Sequence, residues 1–426
     1  RTAEFMEGLT GDEAWAVLQY ADVPIRVEVF RYLPDEQQLE ALRSQNRKNV
    51  TELVAEMAPD DRVDLLSKLE PEVLEDLLER MPLEERRDFM RLSQYPEGTA
   101  GAVMTSEVAK LSENLTVREA LDELGRVADE VETIYYLYVV DDEDHLRGVV
   151  SARQLLSAIK TSGKPLHELM DRNVLTCRPY DDQEEVANKV ANLDLLAIPV
   201  VDQQQRMLGI ITHDDVIDVV REEATEDAHR SAAVEPLDQT YLKTPIWILS
   251  WKRGIWLCIL FFFALLTAIA LAKYEDAIKT WSWLAFFIPL VISCGGNSGS
   301  QSATLVITAL SRGHITLRDW TQIVVRELAM GLVLGGGLAL LGLVAILFIP
   351  ADAALFAPLV VPLTLLLVVM SGTLIGAILP LVFEKLGWDP ALMSNPFVAG
   401  IVDILGIVLY VHVAFWLMGA VSGNGN

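Results

Sequence analysis

The segment NPFVAGIVDILGIVLY, residues 395–410, places one carboxylate, Asp403, inside an otherwise apolar stretch. No other side chain between Pro396 and Met418 is charged at neutral pH. At about 1.5 Å per residue, a helix of this length can cross a bilayer core of roughly 30 Å. A charge at that depth is costly, and it usually faces a bundle interior or a wet cavity. We therefore predict that Asp403 marks an ion path; the alternative is a protonated Asp403 bonded to a neighbouring helix.

Charge and hydropathy divide the chain into two unlike halves. Residues 1–240 hold 25 basic and 52 acidic residues, a formal charge of −27, and residues 241–426 carry +1. This acidity argues against nucleic acid or anionic lipid as a partner and favours metal cations, although a well-solvated acidic surface is a common cause of such a charge. The three scattered cysteines form no metal or disulfide pattern. The acidic opening predicts no signal peptide, and Arg1 suggests an earlier native start.

Short helices are predicted for residues 1–98. Proline followed by acidic residues suits the first turn of a helix, and such starts recur at Pro34, Pro59, Pro71 and Pro82. The last three starts lie 12 and 11 residues apart, which suggests a small stack of helical hairpins. No nucleophile and base set is visible here, and a plain helical adaptor is the alternative to any functional role.

Residues 104–222 contain an internal repeat. The segment Tyr138–Asp141 with Gly148–Ser151 recurs 61 positions later as Pro199–Asp202 with Gly209–Thr212. Each copy predicts two short strands around a turn, followed by a helix over 153–159 or 214–220 and preceded by a helix over 117–124 or 183–193. This pattern resembles a tandem pair of CBS domains. The resemblance makes Tyr136 and Arg153 candidate ATP contacts, and a nucleotide-free structural pair is the alternative.

Five hydrophobic spans follow a linker that ends in a cluster of tryptophan and basic residues typical of a cytoplasmic interface. The spans are predicted at 254–272, 281–310, 328–349, 357–383 and 396–418. The loops then expected inside carry four basic residues, against two outside, in agreement with the positive-inside rule. We predict an α-helical membrane protein with cytoplasmic domains: a helical N-terminal domain (1–98), tandem CBS domains of α+β type (99–222), a connecting helix (223–253) and a five-span pore domain (254–426).

Small and polar residues mark two of these spans. The second is predicted to be interrupted by GGNSGSQSATL, residues 295–305, and the fourth contains Ser371, Gly372, Thr373 and Gly376. Close helix packing explains such residues as well as a wet path does. If they line a path with Asn395, Ala399 and Asp403, the oxygen ligands suit Mg²⁺ or Ca²⁺, and Mg²⁺ typically uses one or two carboxylates.

An acidic ladder follows the second repeat. Four acids stand at successive i, i+4 positions of 214–227, a spacing at which like charges repel. A solvated acidic helix face, where ions in solution screen this repulsion, is one explanation. The N-terminal residues are also acidic, so two acidic surfaces approach each other readily when cations lie between them.

Taken together, these features resemble the MgtE family of bacterial magnesium channels over essentially the whole chain. The closest stretches are ETIYYLYVVD (132–141), DDQEEVA (181–187), REEATED (221–227), GGNSGSQSATL (295–305) and DPALMSNPFVAGIVD (389–403). The resemblance implies that Asp403 binds Mg²⁺ in the pore beside Asn395 and Ala399. It also implies cytosolic Mg²⁺ sites at Asp182, Glu184, Asp194, Asp215, Asp218, Glu223, Glu226, Asp227 and Asp389. The chain departs from the family pattern in two places. Before the first CBS unit, residues Tyr95–Gly98 read YPEG where the family often has an acid after the tyrosine and glutamate, and Ser300 stands where many members have Asn.

We therefore expect a homodimeric, Mg²⁺-selective channel in the bacterial inner membrane, closed by cytosolic Mg²⁺, with no enzymatic activity. Mn²⁺, Co²⁺ and Ca²⁺ are further candidate cargoes, and membrane lipid is the surrounding partner. One alternative is a transporter that couples a cation to protons or Na⁺, with Asp403 titrating. The other is a membrane enzyme regulated by its CBS pair, against which the spans show no HExxH motif and no paired acids.

Overall fold

The computed structural model describes residues 2–6, 8–128, 131–237, 241–242, 244–346, 357–393 and 395–422. The chain divides into two compact units, residues 1–221 and 222–426. The end of the expected third span, at Ile349, lies outside the described residues.

Short helices form the N-terminal part, as the sequence predicts. Their bounds are α1 Thr2–Met6, α2 Gly11–Leu18, α3 Val23–Phe30, α4 Asp35–Ser44, α5 Arg47–Ala55, α6 Pro59–Ser67, α7 Pro71–Arg80 and α8 Leu83–Leu92. From α1 to α8 each helix packs against the second helix along the chain, which differs from the expected stack of hairpins. Proline at the first turn of α6 and α7 keeps Ala58 and Glu70 extended, with ψ of 145° and 141°, so the chain changes direction sharply there.

Both halves of the internal repeat have the predicted order of strands and helices. The elements are β1 Val108–Ser112, α9 Val117–Val127, β2 Thr133–Val140, β3 Leu146–Ser151, α10 Ala152–Ser157, α11 Gln183–Asn192, β4 Ala197–Val201, β5 Met207–Thr212 and α12 His213–Ser231. Strand β2 pairs parallel to β1 and antiparallel to β3, and β4 pairs antiparallel to β5. An isolated parallel bridge from Cys177 to Val200 stands where the second copy would have its counterpart of β1.

Long apolar helices form the second unit. They are α13 Ile246–Lys273, α14 Glu275–Thr280, α15 Leu284–Ser311, α16 Trp320–Ala345, α17 Ala357–Lys385 and α18 Asn395–Ser422, and α14 is the short one. Within the described residues, α13, α16, α17 and α18 are long and apolar enough to cross a membrane. Helix α15 has 28 residues and supplies the length of a fifth span, although the polar residues in its middle lower its hydropathy.

The expected connecting helix is shared between two observed helices. Helix α12 runs on from the second repeat to Ser231, and α13 begins at Ile246 and continues without a break into the first span. Residues 238–240 and 243 of this linker lie outside the described residues.

Helix α17 organises the membrane unit, because α15, α16 and α18 all pack along it. Glycines allow the closest approach. A Cβ atom on Gly372 would lie 2.6 Å from the carbonyl oxygen of Gly295, so only glycine fits at this crossing of α17 and α15. The small residues of the fourth span therefore serve helix packing, the alternative that the sequence left open.

Candidate cation pathway and acidic clusters

Helices α15 and α18 run antiparallel and place two polar stripes against each other. Gly296, Ser300 and Thr304 recur every four residues on α15, while Asn395, Ala399 and Asp403 do so on α18. We call this contact the α15–α18 seam. Because residues four apart share one helix face, the seam brings together the three pore residues expected on α18.

Contacts along the seam fix its register. A Cβ atom on Gly296 would lie 3.1 Å from Asp403 Oδ1 and 3.3 Å from Ala399 Cβ. One turn further, Ser300 Oγ donates to the carbonyl oxygen of Asn395 at 2.9 Å. Thr304 Oγ1 donates to Asn395 Oδ1, also at 2.9 Å. The absence of a side chain at Gly296 therefore lets the Asp403 carboxylate lie close against α15.

The Asp403 carboxylate is half-buried, and no residue in the described ranges forms a hydrogen bond or ion pair with it. A carboxylate in an apolar span without a protein partner is unfavourable unless water or a cation meets it. The alternative of a protonated Asp403 bonded to a neighbouring helix finds no such bond within these residues.

The segment 295–305 is not an interruption of the second span, because α15 is helical throughout it. Its backbone carbonyls are committed to helical hydrogen bonds, so side chains and water are the oxygen donors of the seam. Two of the fourth-span residues expected on the path use their hydroxyl groups in bonds outside the α15–α18 seam. Ser371 Oγ bonds the Leu367 carbonyl, and Thr373 Oγ1 bonds the carbonyl oxygen of Glu327 at 3.2 Å.

An acidic cluster in the first unit joins the N-terminal helices to the repeat. We call it the Asp60 cluster, and its members are Asp60, Asp61, Glu132, Asp214 and Asp215. Burial raises the pKa of Asp60, and the nearby Asp215 and Asp61 carboxylates raise it further. Burial also raises the pKa of Glu132 to about 7. It raises that of Asp215 to about 6, against the lowering effect of hydrogen bonds from Thr212.

One arginine lies within the Asp60 cluster. The Arg31 guanidinium is 4.0 Å from an Asp61 oxygen and 3.7 Å from an Asp214 oxygen. Asp60 Oδ1 is buried and has no hydrogen-bond partner among the described residues. The cluster therefore remains incompletely neutralised. Neither Arg31 nor Glu132 was predicted to belong to it, because both are distant in sequence from the other members.

A second acidic cluster lies in the membrane unit, where Arg230 pairs with both Glu226 and Asp389. We call it the Arg230 cluster. Asp227 Oδ2 accepts a hydrogen bond from Ser311 Oγ at 3.2 Å. Burial raises the pKa of Asp227 and of Glu226, and neighbouring carboxylates, Glu223 among them, add to both shifts. The structure thus brings together four of the expected cytosolic metal residues, with an arginine as their counter-charge.

The other expected metal residues lie apart from these clusters. Asp182 caps α11, where its Oδ1 accepts hydrogen bonds from the backbone N–H groups of Glu184 and Glu185. Asp194 follows α11 with a positive φ of 51°. Asp218 is exposed and 3.3 Å from Arg221. Across the described ranges, no three His, Cys, Asp or Glu side chains are grouped to hold one metal ion.

The candidate nucleotide contacts lie on adjoining elements. Tyr136, half-buried on β2, pairs with Ser151 at the end of β3, and Arg153 is exposed in the first turn of α10 two residues later. Ser151 caps α10 by accepting from the Gln154 backbone N–H. A phosphate at this helix start would meet Arg153 and the favourable end of the helix dipole.

Fold and site together define a multi-pass membrane transporter of cations with CBS-type cytosolic domains. Sequence profiles agree: "Divalent cation transporter" matches residues 288–413, "MgtE intracellular N domain" matches 1–98, and "CBS domain" matches 100–161 and 166–222. The chain belongs to the MgtE family of magnesium transporters. It is a bacterial inner-membrane protein whose N-terminal domains are cytoplasmic.

Curated relatives match over most of the chain. It is 38% identical to the magnesium transporter MgtE of Thermus thermophilus, over 97% of this chain and 91% of that one. It is 33% identical to that of Bacillus subtilis, over 93% and 87%. A structure titled as the soluble part of a magnesium transporter is 34% identical, with a TM-score of 0.49, and covers 52% of this chain and 87% of its own. A cytosolic domain of the Mg²⁺ channel MgtE in complex with ATP is 33% identical, with a TM-score of 0.40, over 51% and 93%.

Proposed function

We propose that this protein is a channel that imports Mg²⁺ along the α15–α18 seam, with Asp403 as the charged ligand. The observation that carries the proposal is the half-buried Asp403 carboxylate, which lies against Gly296 of α15 without a protein counter-ion among the described residues. Mg²⁺ dehydrates reluctantly and keeps several waters, so a partly hydrated ion held by one or two carboxylates fits this seam. Conduction also requires the site to bind Mg²⁺ weakly enough for the ion to leave it.

Two copies of the chain would improve this site. Among the described residues no group of three acidic, His or Cys side chains could hold a metal ion, and one carboxylate alone binds a divalent ion weakly. A homodimer with two Asp403 side chains facing the symmetry axis doubles the charge without adding a fixed cage. Mass measurement of the detergent-solubilised protein tests this, and a monomer that retains full flux would refute it.

The pore assignment is tested by Mg²⁺ flux into liposomes. Asp403→Ala should abolish flux while the protein still folds, since it removes a ligand and also a costly buried charge. Asp403→Asn should be nearly as damaging. Asp276→Ala, which removes an exposed acid of α14, is the matched control and should conduct normally. Near-normal flux through well-folded Asp403→Ala would reject the assignment.

A coupled transporter is the competing mechanism. Reversal potentials under single-ion gradients separate the two: a channel follows the Mg²⁺ gradient alone, whereas coupling shifts the potential with pH or Na⁺. Running Mn²⁺, Co²⁺ and Ca²⁺ in the same assay gives the selectivity order. An enzyme regulated by its CBS pair would require turnover of a lipid or nucleotide by the purified protein.

Cytosolic Mg²⁺ is proposed to close the channel by neutralising the Asp60 and Arg230 clusters. Helix α12 supports this role, because it supplies Asp215 to the first cluster and Glu226 and Asp227 to the second. We propose that Asp182, Glu184, Asp194 and Asp218 add weaker sites. Several ions that each favour the closed state by about 1 kcal/mol approach the roughly 5.5 kcal/mol of a near-complete switch.

Feedback by Mg²⁺ is tested by neutralising Asp215, Asp218, Glu223 and Glu226 together. If these groups act as ligands, the channel should stay open in millimolar Mg²⁺. Closure that no longer depends on Mg²⁺ would show instead that their repulsion, rather than bridging, controls the gate. Monovalent salt should substitute poorly, since it screens charge without bridging.

ATP is proposed to bind the CBS pair, with its adenine on Tyr136 and its phosphates at Arg153. The exposed guanidinium at the start of α10 supports this placement. Calorimetric titration of ATP into the wild type and Arg153→Ala tests this placement. Equal ATP affinities would show that Arg153 is not a phosphate contact. We also propose the division into 1–98, 99–222, 223–253 and 254–426, which the matched profile ranges support.

A further inference from the structure

A second membrane carboxylate, Glu327, lies on α16 seven residues after its start, about 10 Å along the helix. Its Oε2 accepts a hydrogen bond from Ser302 Oγ of α15 at 2.6 Å. Its backbone oxygen accepts from Thr373 Oγ1 of α17 at 3.2 Å. Glu327 is half-buried and Ser302 is only 5% exposed, so this bond lies inside the helix bundle.

Ser302 points away from the seam. It is two residues from both Ser300 and Thr304, which corresponds to roughly 200° around the helix from the first and as much in the opposite sense from the second. The bond to Glu327 therefore holds α15 on the side opposite Gly296, Ser300 and Thr304, which face α18. A link at this position resists rotation of α15 about its own axis, and that rotation decides whether Gly296 stays beside Asp403.

The charge of Glu327 strengthens this link. A hydrogen bond to a carboxylate is roughly twice as strong as one between neutral groups. Helices α15 and α16 both pack along α17, and the bond between Ser302 and Glu327 joins them directly. We propose that Glu327 is a positioning residue of the cation pathway, which acts through Ser302 to set the rotation of α15. The proposal rests on the seam being the ion path.

The test measures selectivity as well as flux, because loss of folded protein lowers the flux of every ion equally. The variants are Ser302→Ala, Glu327→Leu and Glu327→Gln, reconstituted and compared by the ratio of Mg²⁺ to Ca²⁺ flux per folded protein. Glu384→Leu is the matched control. It removes a half-buried glutamate from a neighbouring membrane helix, and Glu384 Oε2 has no hydrogen-bond partner among the described residues.

Ser302→Ala and Glu327→Leu should lower the flux ratio several-fold, and the double variant should add nothing further, since both remove one bond. Glu327→Gln, whose amide oxygen still accepts from Ser302 but more weakly than a carboxylate, should give a ratio between those of the wild type and Glu327→Leu. The control should keep that ratio.

Two results would overturn the positioning role. The first is an unchanged ratio in folded Ser302→Ala. The second is a Glu327→Gln variant as impaired as Glu327→Leu, which would make the charge itself the functional element, as ion ligand or proton carrier. If Glu327→Leu fails to fold, the flux ratios of Ser302→Ala and Glu327→Gln still test the positioning role. An Asp403→Ala arm keeps the proposals separate: retained flux there rejects the ion path, whatever Ser302 does.

Discussion

The Asp60 cluster predicts that Mg²⁺ and protons compete to stabilise the packing of α6 on the repeat. Four of its acids, Asp60, Asp61, Glu132 and Asp215, have a raised pKa because burial disfavours their charged forms. The perturbation is a change of pH from 5 to 8 in Mg²⁺-free solution. At the higher pH the Glu132 and Asp215 carboxylates lose their protons and repel the other acids of the cluster, so the cluster should open.

The sign and size follow from Glu132, whose pKa rises from 4.5 to about 7 on folding. Between these values the folded state binds more protons than the unfolded state, so stability is full below about pH 4.5 and is lost as the pH rises through about 7. At about 1.4 kcal/mol per pKa unit, and with allowance for solvent screening, the loss is roughly 2 kcal/mol. That corresponds to about 30-fold in an opening equilibrium.

Amide hydrogen exchange in α6 of the full-length protein is the assay, with rates corrected for the intrinsic effect of pH. Protection in Pro59–Ser67 should fall on the order of 30-fold from pH 5 to pH 8 without Mg²⁺. Millimolar Mg²⁺ should restore protection at pH 8 and change little at pH 5, because protonated carboxylates do not bind it.

Variants identify the responsible group. Glu132→Gln should flatten most of the pH dependence, whereas Glu72→Gln, at an exposed acid of α7, should leave it intact. Protection in α6 that is independent of pH without Mg²⁺, or that rises with pH, would refute the reasoning about burial and repulsion.

Further predictions concern the seam, the second cluster and the linker. Gly296→Ala should lower Mg²⁺ flux into liposomes several-fold, because the new methyl group would lie about 3 Å from the Asp403 carboxylate. The control Gly336→Ala has open space around the new methyl group and should conduct normally, so equal flux through the two variants would contradict the prediction. Arg230→Ala should increase the apparent Mg²⁺ affinity for channel closure, since two carboxylates lose their counter-charge, and an unchanged inhibition curve would contradict this. Protease cleavage within residues 95–103 should slow in millimolar Mg²⁺; equal rates would argue against Mg²⁺-dependent tightening.

Periodicity in the sequence predicted the elements well, since each is decided locally. The recurrence of two short apolar segments around a turn located the strands of the repeat, and proline with acidic residues located starts such as α6 and α7. The way in which the N-terminal helices pair was not predictable. A helix with an apolar face can pack against the next helix along the chain or against the one after it. The spacing of its apolar residues is the same in both cases, so the sequence cannot distinguish them.

The seam was predictable in its members on α18 but not in its partners. A spacing of four places Asn395, Ala399 and Asp403 on one face, yet it cannot say which helix meets that face. Glu327 was overlooked for a related reason. It stands one residue before the apolar run that begins at Leu328, and its partner Ser302 is on another helix.

Net charge gave the acidity of the cytoplasmic half without showing where cations were already supplied. Arg31 lies between Asp61 and Asp214, and Arg230 pairs with Glu226 and Asp389. Mg²⁺ binding stabilises such carboxylates less, because an arginine already neutralises part of their charge. Asp60, Glu132 and Asp215 lack an arginine within ion-pairing distance among the described residues. Sensitivity to Mg²⁺ should therefore concentrate on these three half-buried acids rather than on exposed acids of 214–227 such as Asp214 and Asp218.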